Sequence, residues 1–347
     1  MLARRLRGPV RTIDYHTAGE PFRIVPEPPV DIPGGTVAER RATAMTDPAV
    51  GDLRRMLCFE PRGHADMYGG FITPPDDEGA AFGVLFWHKD GFSTACGHGT
   101  IALGTWAVDS GLVAAEPTGT TDVGLDVPSG RVTARVHREQ FRVRSVDFVN
   151  VPSYVLAQDV PVRTSRGEVV VDVAYGGAIY AQLPAASLGL TVEPQQLPGL
   201  IAAGREIKQV LRDTEHARHP SDPRLDGIYG TILYEDAGGA AGSDDDAVLH
   251  QRNVTIFADG EVDRSPCGSG TCARLAVLTA TGRLAPGDQL LHSSVVGSRF
   301  RARVLEQVAA EGRPAVIPLV SGSAHRTGEH AFVADPADDL FPGFVLR

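Results

Sequence analysis

Two stretches of the sequence follow one pattern: ACGHGTIALGTWAVDSG at residues 95–111 and SPCGSGTCARLAVLTATG at residues 265–282. Each contains Cys-Gly-x-Gly-Thr, beginning at Cys96 or Cys267, and continues as an apolar run that ends at a glycine. In both copies the apolar residues cover most of a helical wheel, which is typical of a helix enclosed on nearly all sides. The pattern therefore predicts two equivalent buried helices, each beginning next to a cysteine.

The residues before the two cysteines also repeat. VLFWHKDGFSTACGHGT at 84–100 and NVTIFADGEVDRSPCGSGT at 253–271 each predict a strand, an Asp-Gly turn and a short polar link. Other strand patterns recur through both halves, whereas further helical patterns occur only around Asp47–Leu57 and Glu193–Asp213. We therefore predict a strand-rich α+β protein with a duplicated unit, in which a curved sheet surrounds each central helix.

The length of 347 residues allows two domains of ordinary size. The sequence changes character near Val149–Tyr154 and again near Val320–Thr327. These changes predict a first lobe at residues 1–149, to which 325–347 return, and a second lobe at 150–324. The acidic, glycine-rich tract Tyr234–Ala247 predicts an exposed loop.

Composition and charge narrow the possible functions. The net charge is -10, so the chain has no excess of basic residues that could neutralise the phosphates of a nucleic acid. We therefore expect a small-molecule substrate and no nucleic acid. No apolar stretch has the length of a signal peptide or a membrane span, so we expect a cytoplasmic protein without membrane association. The four cysteines are too few and too dispersed for a disulfide scaffold, and free thiols are expected.

Cys96 and Cys267 are candidate acid/base groups. At the start of a helix, exposed N–H groups and the positive end of the helix dipole favour a thiolate, which predicts a lowered pKa. The glycines of each motif allow the backbone to approach an anion such as a carboxylate. If the duplicated halves face each other, one sulfur removes a proton from a carbon while the other delivers one. That arrangement inverts a stereocentre without a cofactor.

Other assignments fit these residues less well. Cys58 and Cys272 are expected to be small apolar core residues. No C-x-x-C or H-x-x-x-H pair occurs, and the Cys267–Cys272 spacing does not suit zinc, so no metal is expected. GSGTCA matches a dinucleotide-binding pattern, but a Pro-Cys pair stands where a strand should lead into the first glycine. Neither Lys89 nor Lys208 lies in a context typical of pyridoxal phosphate, and no cofactor is expected.

DRSPCGSGT at 263–271 and CGHGT at 96–100 together resemble the motifs of the proline racemase family. This family includes hydroxyproline 2-epimerases and trans-3-hydroxy-L-proline dehydratases. HTAGEP at 16–21 and EPRGHADMYGG at 60–70 are similar to further blocks of the family, so the resemblance extends over nearly the whole chain. It implies a diaminopimelate-epimerase-like α+β fold with two pseudo-symmetric lobes, each a barrel-like sheet around a central helix. It also implies an active site in the cleft between the lobes and a possible homodimer.

The resemblance also implies roles for seven residues. The paired acid/base thiols correspond to Cys96 and Cys267. The backbone cradle for the substrate carboxylate corresponds to Gly97, His98, Gly268 and Ser269. The groups that meet the ring nitrogen correspond to Asp263 and the side chain of His98. An anion near the ring is also what a prolyl ammonium requires, although Asp263 could instead cap a turn and His98 could be structural.

The expected activity is cofactor-independent epimerisation or racemisation at C2 of hydroxyproline or proline, with hydroxyproline 2-epimerase favoured. Dehydratases of the family typically carry Thr at the position of Cys267, so two thiols favour two-base chemistry. One alternative is a trans-3-hydroxy-L-proline dehydratase, because PRGHADMYGG and GFSTACGHG are at least as close to that branch. The other is a non-catalytic imino-acid-binding protein, which would not need two opposed thiols.

Overall fold

A computed structural model of the chain describes residues 2–4, 6–237 and 249–346. Within these ranges it contains five α-helices and eighteen strands. The chain divides into two compact units. Unit 1 comprises Met1–Thr94, Gly99–Val146 and Ser323–Arg347, and unit 2 comprises Ala95–His98 and Asp147–Gly322. The short segment Ala95–His98, which contains the first cysteine motif, is thus grouped with the second half of the chain.

Unit 1 is built from strands and three helices. Its strands are β1 (Val10–Thr17), β2 (Glu20–Val25), β3 (Gly69–Thr73), β4 (Phe82–His88), β5 (Gly91–Phe92), β6 (Gly119–Val127) and β7 (Gly130–Glu139). The strand β8 (Arg142–Val149) contains the boundary to unit 2, and the last strand of unit 1 is β18 (Ala324–Phe332), which pairs with β1. The helices are α1 (Val37–Thr46), α2 (Pro48–Cys58) and α3 (Gly97–Asp109).

Unit 2 contains nine further strands and two helices. The strands are β9 (Ser153–Thr164), β10 (Gly167–Tyr175), β11 (Ile179–Pro184), β12 (Ile228–Asp236), β13 (Leu249–Phe257), β14 (Glu261–Val262), β15 (Gln289–Ser294), β16 (Arg299–Ala310) and β17 (Arg313–Gly322). The helices are α4 (Leu197–Leu211) and α5 (Gly268–Ala280).

Both units repeat one order of strand pairing. In unit 1, β1–β2 is antiparallel, β2–β3 parallel, β3–β4 antiparallel and β4–β6 parallel. In unit 2 the same order joins β10–β11, β11–β12, β12–β13 and β13–β15. Parallel neighbours need a long connection, and the second such connection in each unit contains the helix after the cysteine motif. The duplicated unit predicted from the sequence is confirmed.

The helices that follow the two cysteine motifs are enclosed, as predicted. Every residue of α5 from Gly268 to Leu278 is buried, and the helix packs against β9, β10, β11, β16 and β17. In α3, a β-carbon on Gly104 would lie 2.6 Å from the Cβ of Ala134 on β7, so glycine lets this helix approach the sheet closely. Both helices begin directly after their cysteine.

Some features differ from the sequence-based expectation. The helix α1 was not predicted because most of its apolar residues are alanines, which give a weak apolar pattern; its start is set by Thr36, whose side chain accepts a bond from the N–H of Glu39. The predicted loop at Tyr234–Ala247 begins as strand, since β12 runs to Asp236, and residues 238–247 lie outside the described ranges. Among the described residues, no helix is long and apolar enough to cross a membrane.

Candidate active site

The link between β14 and α5 is a hydrogen-bonded turn that positions Cys267. Asp263 Oδ1 accepts bonds from the backbone N–H of Ser265 at 2.8 Å and from its hydroxyl at 2.7 Å. The Ser265 hydroxyl oxygen in turn accepts the backbone N–H of Cys267 at 3.0 Å. Each end of the turn is therefore held by the same serine, and both bonds to Asp263 use one carboxylate oxygen.

Cys267 is the N-cap residue of α5. Its backbone has φ 65° and ψ 109°, a region that residues with a β-carbon rarely adopt. Its sulfur accepts a hydrogen bond from the N–H of Gly270 at 3.3 Å. In most N-cap residues a side-chain oxygen is the acceptor of this bond. The Tyr180 hydroxyl lies 3.8 Å from the same sulfur, and the Thr255 side chain also hydrogen-bonds to it. The sulfur is thus surrounded by hydrogen-bonding groups at the helix start.

Burial controls the ionisation of the Cys267 thiol. Only 6% of the residue is exposed, and this burial raises the pKa of the thiol well above its usual value, with a further increase from the Asp263 carboxylate. Hydrogen bonds from Gly270, Tyr180 and Thr255 lower the pKa, but by less than burial raises it. The expectation that the helix start would give this thiol a lowered pKa is therefore wrong for this structure.

Asp263 is a buried carboxylate beside this thiol. It is 3% exposed, so it does not lie in a surface turn, although it does brace the turn through Ser265. Burial raises the pKa of Asp263 to about 6, against the hydrogen bonds from Ser265 and from the Cys267 thiol. Because the pKa of Cys267 lies far higher, the pair exists at neutral pH mainly as a carboxylate and a neutral thiol.

The first cysteine motif places a histidine against its own cysteine. Cys96 is 4% exposed and directly precedes α3. The Nδ1 and Nε2 atoms of His98 lie 3.4 Å and 3.7 Å from the Cys96 sulfur. An imidazole at this distance from a thiol can exchange a proton with it. The structure thus places the His98 ring on the sulfur of its own motif, while its expected contact with a substrate nitrogen stays a prediction.

The two glycines that follow the cysteines are in contact. A β-carbon on Gly97 would lie 2.5 Å from the Cα of Gly268, and one on Gly268 would lie 2.5 Å from the Cα of Gly97. No side chain fits at that distance from a backbone atom, so only glycine permits the approach. Since each glycine is bonded to a cysteine, the structure brings Cys96 and Cys267 to one place within unit 2. All seven residues singled out in the sequence belong to this unit.

A buried polar network supports the turn from the side of the sheet. His292 Nδ1 lies 2.8 Å from Thr271 Oγ1, and His292 Nε2 lies 2.8 Å from Asn253 Nδ2. The Thr271 hydroxyl and the Asn253 amide both donate to the backbone carbonyl of Pro266, at 3.2 Å and 3.1 Å. Burial lowers the pKa of His292 to about 3, so the ring is neutral and can bridge a donor and an acceptor. The residue before Cys267 is thereby fixed.

Sequence reasoning missed several residues that contact the site. Ser265 could have been found, because Asp-x-Ser before a helix is a common turn pattern. Tyr180 and Thr255 reach Cys267 from β11 and β13, and no local pattern in those strands marks them. Ser269 was expected to contribute its backbone, and the structure adds a hydroxyl bond of 2.7 Å to Tyr180.

The arrangement can bind a carboxylate and move protons. The first N–H groups of a helix have no partner within the helix, and here two such starts meet at the paired glycines. Two thiols adjoin them, one beside an imidazole and the other beside a carboxylate. Groups of this kind suit proton transfer at a carbon next to a carboxylate.

Comparison with known proteins gives a consistent result. The sequence model described as proline racemase matches residues 12–345. A trans-3-hydroxy-L-proline dehydratase of Bacillus cereus is 44% identical over 336 residues, which cover 96% of this chain and 97% of that protein. A 3-hydroxyproline 2-epimerase of Burkholderia multivorans is 44% identical over 337 residues, with 97% and 98% covered.

A solved structure extends the comparison to three dimensions. The hydroxyproline epimerase from Agrobacterium vitis, with bound trans-4-hydroxy-L-proline, superposes with a TM-score of 0.89 at 32% identity. The alignment covers 98% of this chain and 96% of that one. The expected diaminopimelate-epimerase-like α+β fold is confirmed.

Proposed function

Because this chain belongs to the proline racemase family, we propose that it is a cofactor-independent epimerase that acts at C2 of hydroxyproline or proline with two thiols as acid and base. The observation that carries the proposal is the contact between Gly97 and Gly268, which brings the two cysteine motifs together. The protein is accordingly an enzyme, an isomerase of amino acids.

Substrate binding uses the charges of an imino acid. Its carboxylate accepts N–H groups at the two helix starts, from Gly97 and His98 on one side and from Gly268 and Ser269 on the other. Its ring ammonium faces the Asp263 carboxylate, whose Oδ2 takes no part in the turn held by Ser265. These contacts hold C2 between the two sulfurs.

Proton transfer then takes place on both faces of C2. The thiolate on one face removes the C2 proton, and the thiol on the other face gives its proton to C2, so the centre is inverted. In the free enzyme Asp263 raises the pKa of Cys267. A bound ammonium offsets the charge of Asp263, which lowers the pKa of Cys267 and favours proton transfer when substrate is present. The His98 imidazole serves Cys96 as a proton partner at 3.4 Å.

Deuterium exchange tests this function. The purified protein is incubated in deuterated water with L-proline, trans-4-hydroxy-L-proline and trans-3-hydroxy-L-proline, and the C2 proton is followed by NMR. We expect deuterium at C2 together with the epimeric product for at least one substrate. Binding of these compounds without any exchange would contradict the proposal and favour an imino-acid-binding protein.

A second candidate is dehydration of trans-3-hydroxy-L-proline, the reaction in the name of the 44% identical Bacillus cereus relative. In that reaction one thiolate removes the C2 proton, and the thiol so formed returns this proton to the 3-hydroxyl, which leaves as water. The resulting enamine tautomerises to a pyrroline carboxylate. Only one thiol is required, so the pair Cys96 and Cys267 favours epimerisation. Appearance of the pyrroline product in a coupled reductase assay, without epimer, would favour the dehydratase.

Two broader properties belong to the same proposal. We propose that the protein is cytoplasmic, as its lack of a long apolar stretch predicts, and that it forms a homodimer, the assembly that the resemblance to the family suggests. Cell fractionation with an antibody tests the first property. Sedimentation equilibrium of the purified chain tests the second, since a single species of monomer mass would contradict it.

A further inference from the structure

The hydroxyl of Tyr180 lies between the candidate base and the candidate carboxylate cradle. It is 2.7 Å from Ser269 Oγ and 3.8 Å from Cys267 Sγ. The side chain is fully buried on β11, where it packs with Ala174, Ile232 and other apolar residues. The ring is therefore fixed, and the hydroxyl hydrogen is its one freely rotating part.

We propose that Tyr180 is a further catalytic residue, whose hydroxyl hydrogen turns between Ser269 and Cys267 as the Cys267 sulfur gains and loses its proton. This inference rests on the proposed function of Cys267 as an acid/base group. It adds a residue that no motif in the sequence marks.

The two states of the sulfur require opposite hydrogen-bond directions. When Cys267 is a thiol, two acceptors share its one hydrogen, the Tyr180 oxygen and Asp263, and the Tyr180 hydroxyl donates to Ser269. The hydrogen of Ser269 then remains for the substrate carboxylate. When Cys267 is a thiolate, the Tyr180 hydroxyl donates to sulfur and the Ser269 hydroxyl donates to Tyr180. Tyr180 keeps its proton in both states, so only hydrogen-bond directions change.

Tyr180 remains a donor because it does not ionise. Burial raises the pKa of its hydroxyl well above the ordinary value, and the nearby Cys267 and Tyr229 raise it further. Besides Tyr180, the titratable group that acts on Cys267 is Asp263. The thiolate therefore takes its proton back from the substrate, and Tyr180 stabilises the negative sulfur without protonating it.

Loss of the Tyr180 hydroxyl would remove one of several hydrogen-bond donors to the Cys267 sulfur. The Gly270 N–H and the Thr255 side chain remain in its absence. Removal of one hydrogen bond to a charged group typically changes an equilibrium by roughly tenfold or more. The thiolate fraction of Cys267 at a given pH should fall by about that factor in Tyr180→Phe.

The experiment compares Tyr180→Phe with a matched tyrosine. Tyr154 is also buried in unit 2, and its hydroxyl bonds to His219 Nε2 at 2.8 Å, so Tyr154→Phe removes a similar hydroxyl elsewhere. The rate of iodoacetamide alkylation at Cys267, measured by mass spectrometry of its peptide, reports the thiolate fraction. We expect a decrease of about tenfold in Tyr180→Phe, with a similar decrease in kcat, and no change in Tyr154→Phe.

A second variant distinguishes the proposed switch from a loss of packing. In Ser269→Ala the Tyr180 hydroxyl has only the sulfur as a partner, so alkylation of Cys267 should become faster, the opposite of the effect of Tyr180→Phe. Unchanged alkylation in Tyr180→Phe, or slower alkylation in Ser269→Ala, would overturn the proposal. Alkylation needs no turnover, so a wild-type protein that exchanges no C2 proton would refute the proposed function separately.

Discussion

Gly97 and Gly268 contact each other through their backbones, with room for hydrogen atoms and for no methyl group. The nearest atoms that an added β-carbon would meet are main-chain atoms of the other glycine, which cannot rotate away as a side chain can. The distance between Cys96 and Cys267 therefore depends on the presence of glycine at both positions 97 and 268.

The first prediction concerns this contact. In Gly268→Ala the two motifs must move apart, and a misplacement of about 1 Å at a reaction centre lowers the rate by roughly a hundredfold. We expect that loss in epimerisation with the protein still folded by circular dichroism. Gly51→Ala on α2 is the control, since its β-carbon would lie 3.6 Å from a flexible arginine and should leave activity unchanged. Wild-type activity in Gly268→Ala would contradict the placement of the site.

The second prediction concerns the thiols. Cys96→Ser and Cys267→Ser should each reduce inversion by at least about a hundredfold, because a serine hydroxyl is a far weaker acid than a thiol. The remaining thiol still reaches one face of C2, so each variant should exchange the C2 proton of only one epimer. NMR in deuterated water measures both quantities. Cys272→Ser, a buried cysteine five residues farther along, should invert substrate normally.

The third prediction concerns the pH dependence of stability through Asp263. Its pKa in the folded state is raised to about 6 from 3.8, so its contribution to stability is full below about pH 4 and is lost as the pH rises through about 6. Asparagine does not ionise, so the Asp263→Asn variant does not lose stability in this way as the pH rises. The free energy of unfolding of the variant minus that of the wild type should therefore increase between pH 4 and 6, by about 1–3 kcal/mol.

Urea unfolding at several pH values measures this difference, and a second aspartate provides a control of opposite sign. Bonds from Arg224 lower the pKa of the more exposed Asp222, whose contribution to stability is present at higher pH and is lost as the pH falls. The difference for Asp222→Asn should therefore decrease as the pH rises. A flat or decreasing difference for Asp263→Asn would show that this carboxyl is not buried as described.

The fourth prediction concerns His292. Its replacement by leucine leaves the polar groups of Thr271 and Asn253 without their bridge inside the core. Buried polar groups left unsatisfied cost about 1–3 kcal/mol each, so His292→Leu should lower the free energy of unfolding by at least about 2 kcal/mol. His292→Gln keeps some of these bonds and should lose less. Equal stability of the leucine variant in urea would argue against the network.

The sequence predicted those features that depend on local pattern. Alternating strands, the repeated Cys-Gly motif and the enclosed helices after Cys96 and Cys267 can all be recognised within about twenty residues, and the structure has them. The close approach of Gly97 to Gly268 follows the same motif, because glycines at helix starts permit such contacts.

The features that sequence reasoning missed depend on pairing between distant segments. Tyr180 approaches Cys267 from β11, a strand that pairs in parallel with the distant β12, and the sequence between these strands gives no register. The raised pKa of Cys267 has the same origin, since the local helix start favours a thiolate while burial by remote strands opposes it. From a short motif one can predict how its own helix start affects a thiol. One cannot predict from it how deeply the rest of the fold buries that thiol.

The positive φ of Cys267 restricts which amino acids evolution can place at this position. Branching at the β-carbon makes a positive φ especially unfavourable, so threonine should fit only after the backbone of the preceding turn has rearranged. Exchange of this cysteine for threonine would therefore strain the backbone unless the turn before it changed as well, whereas serine, which is not branched at the β-carbon, avoids that extra strain.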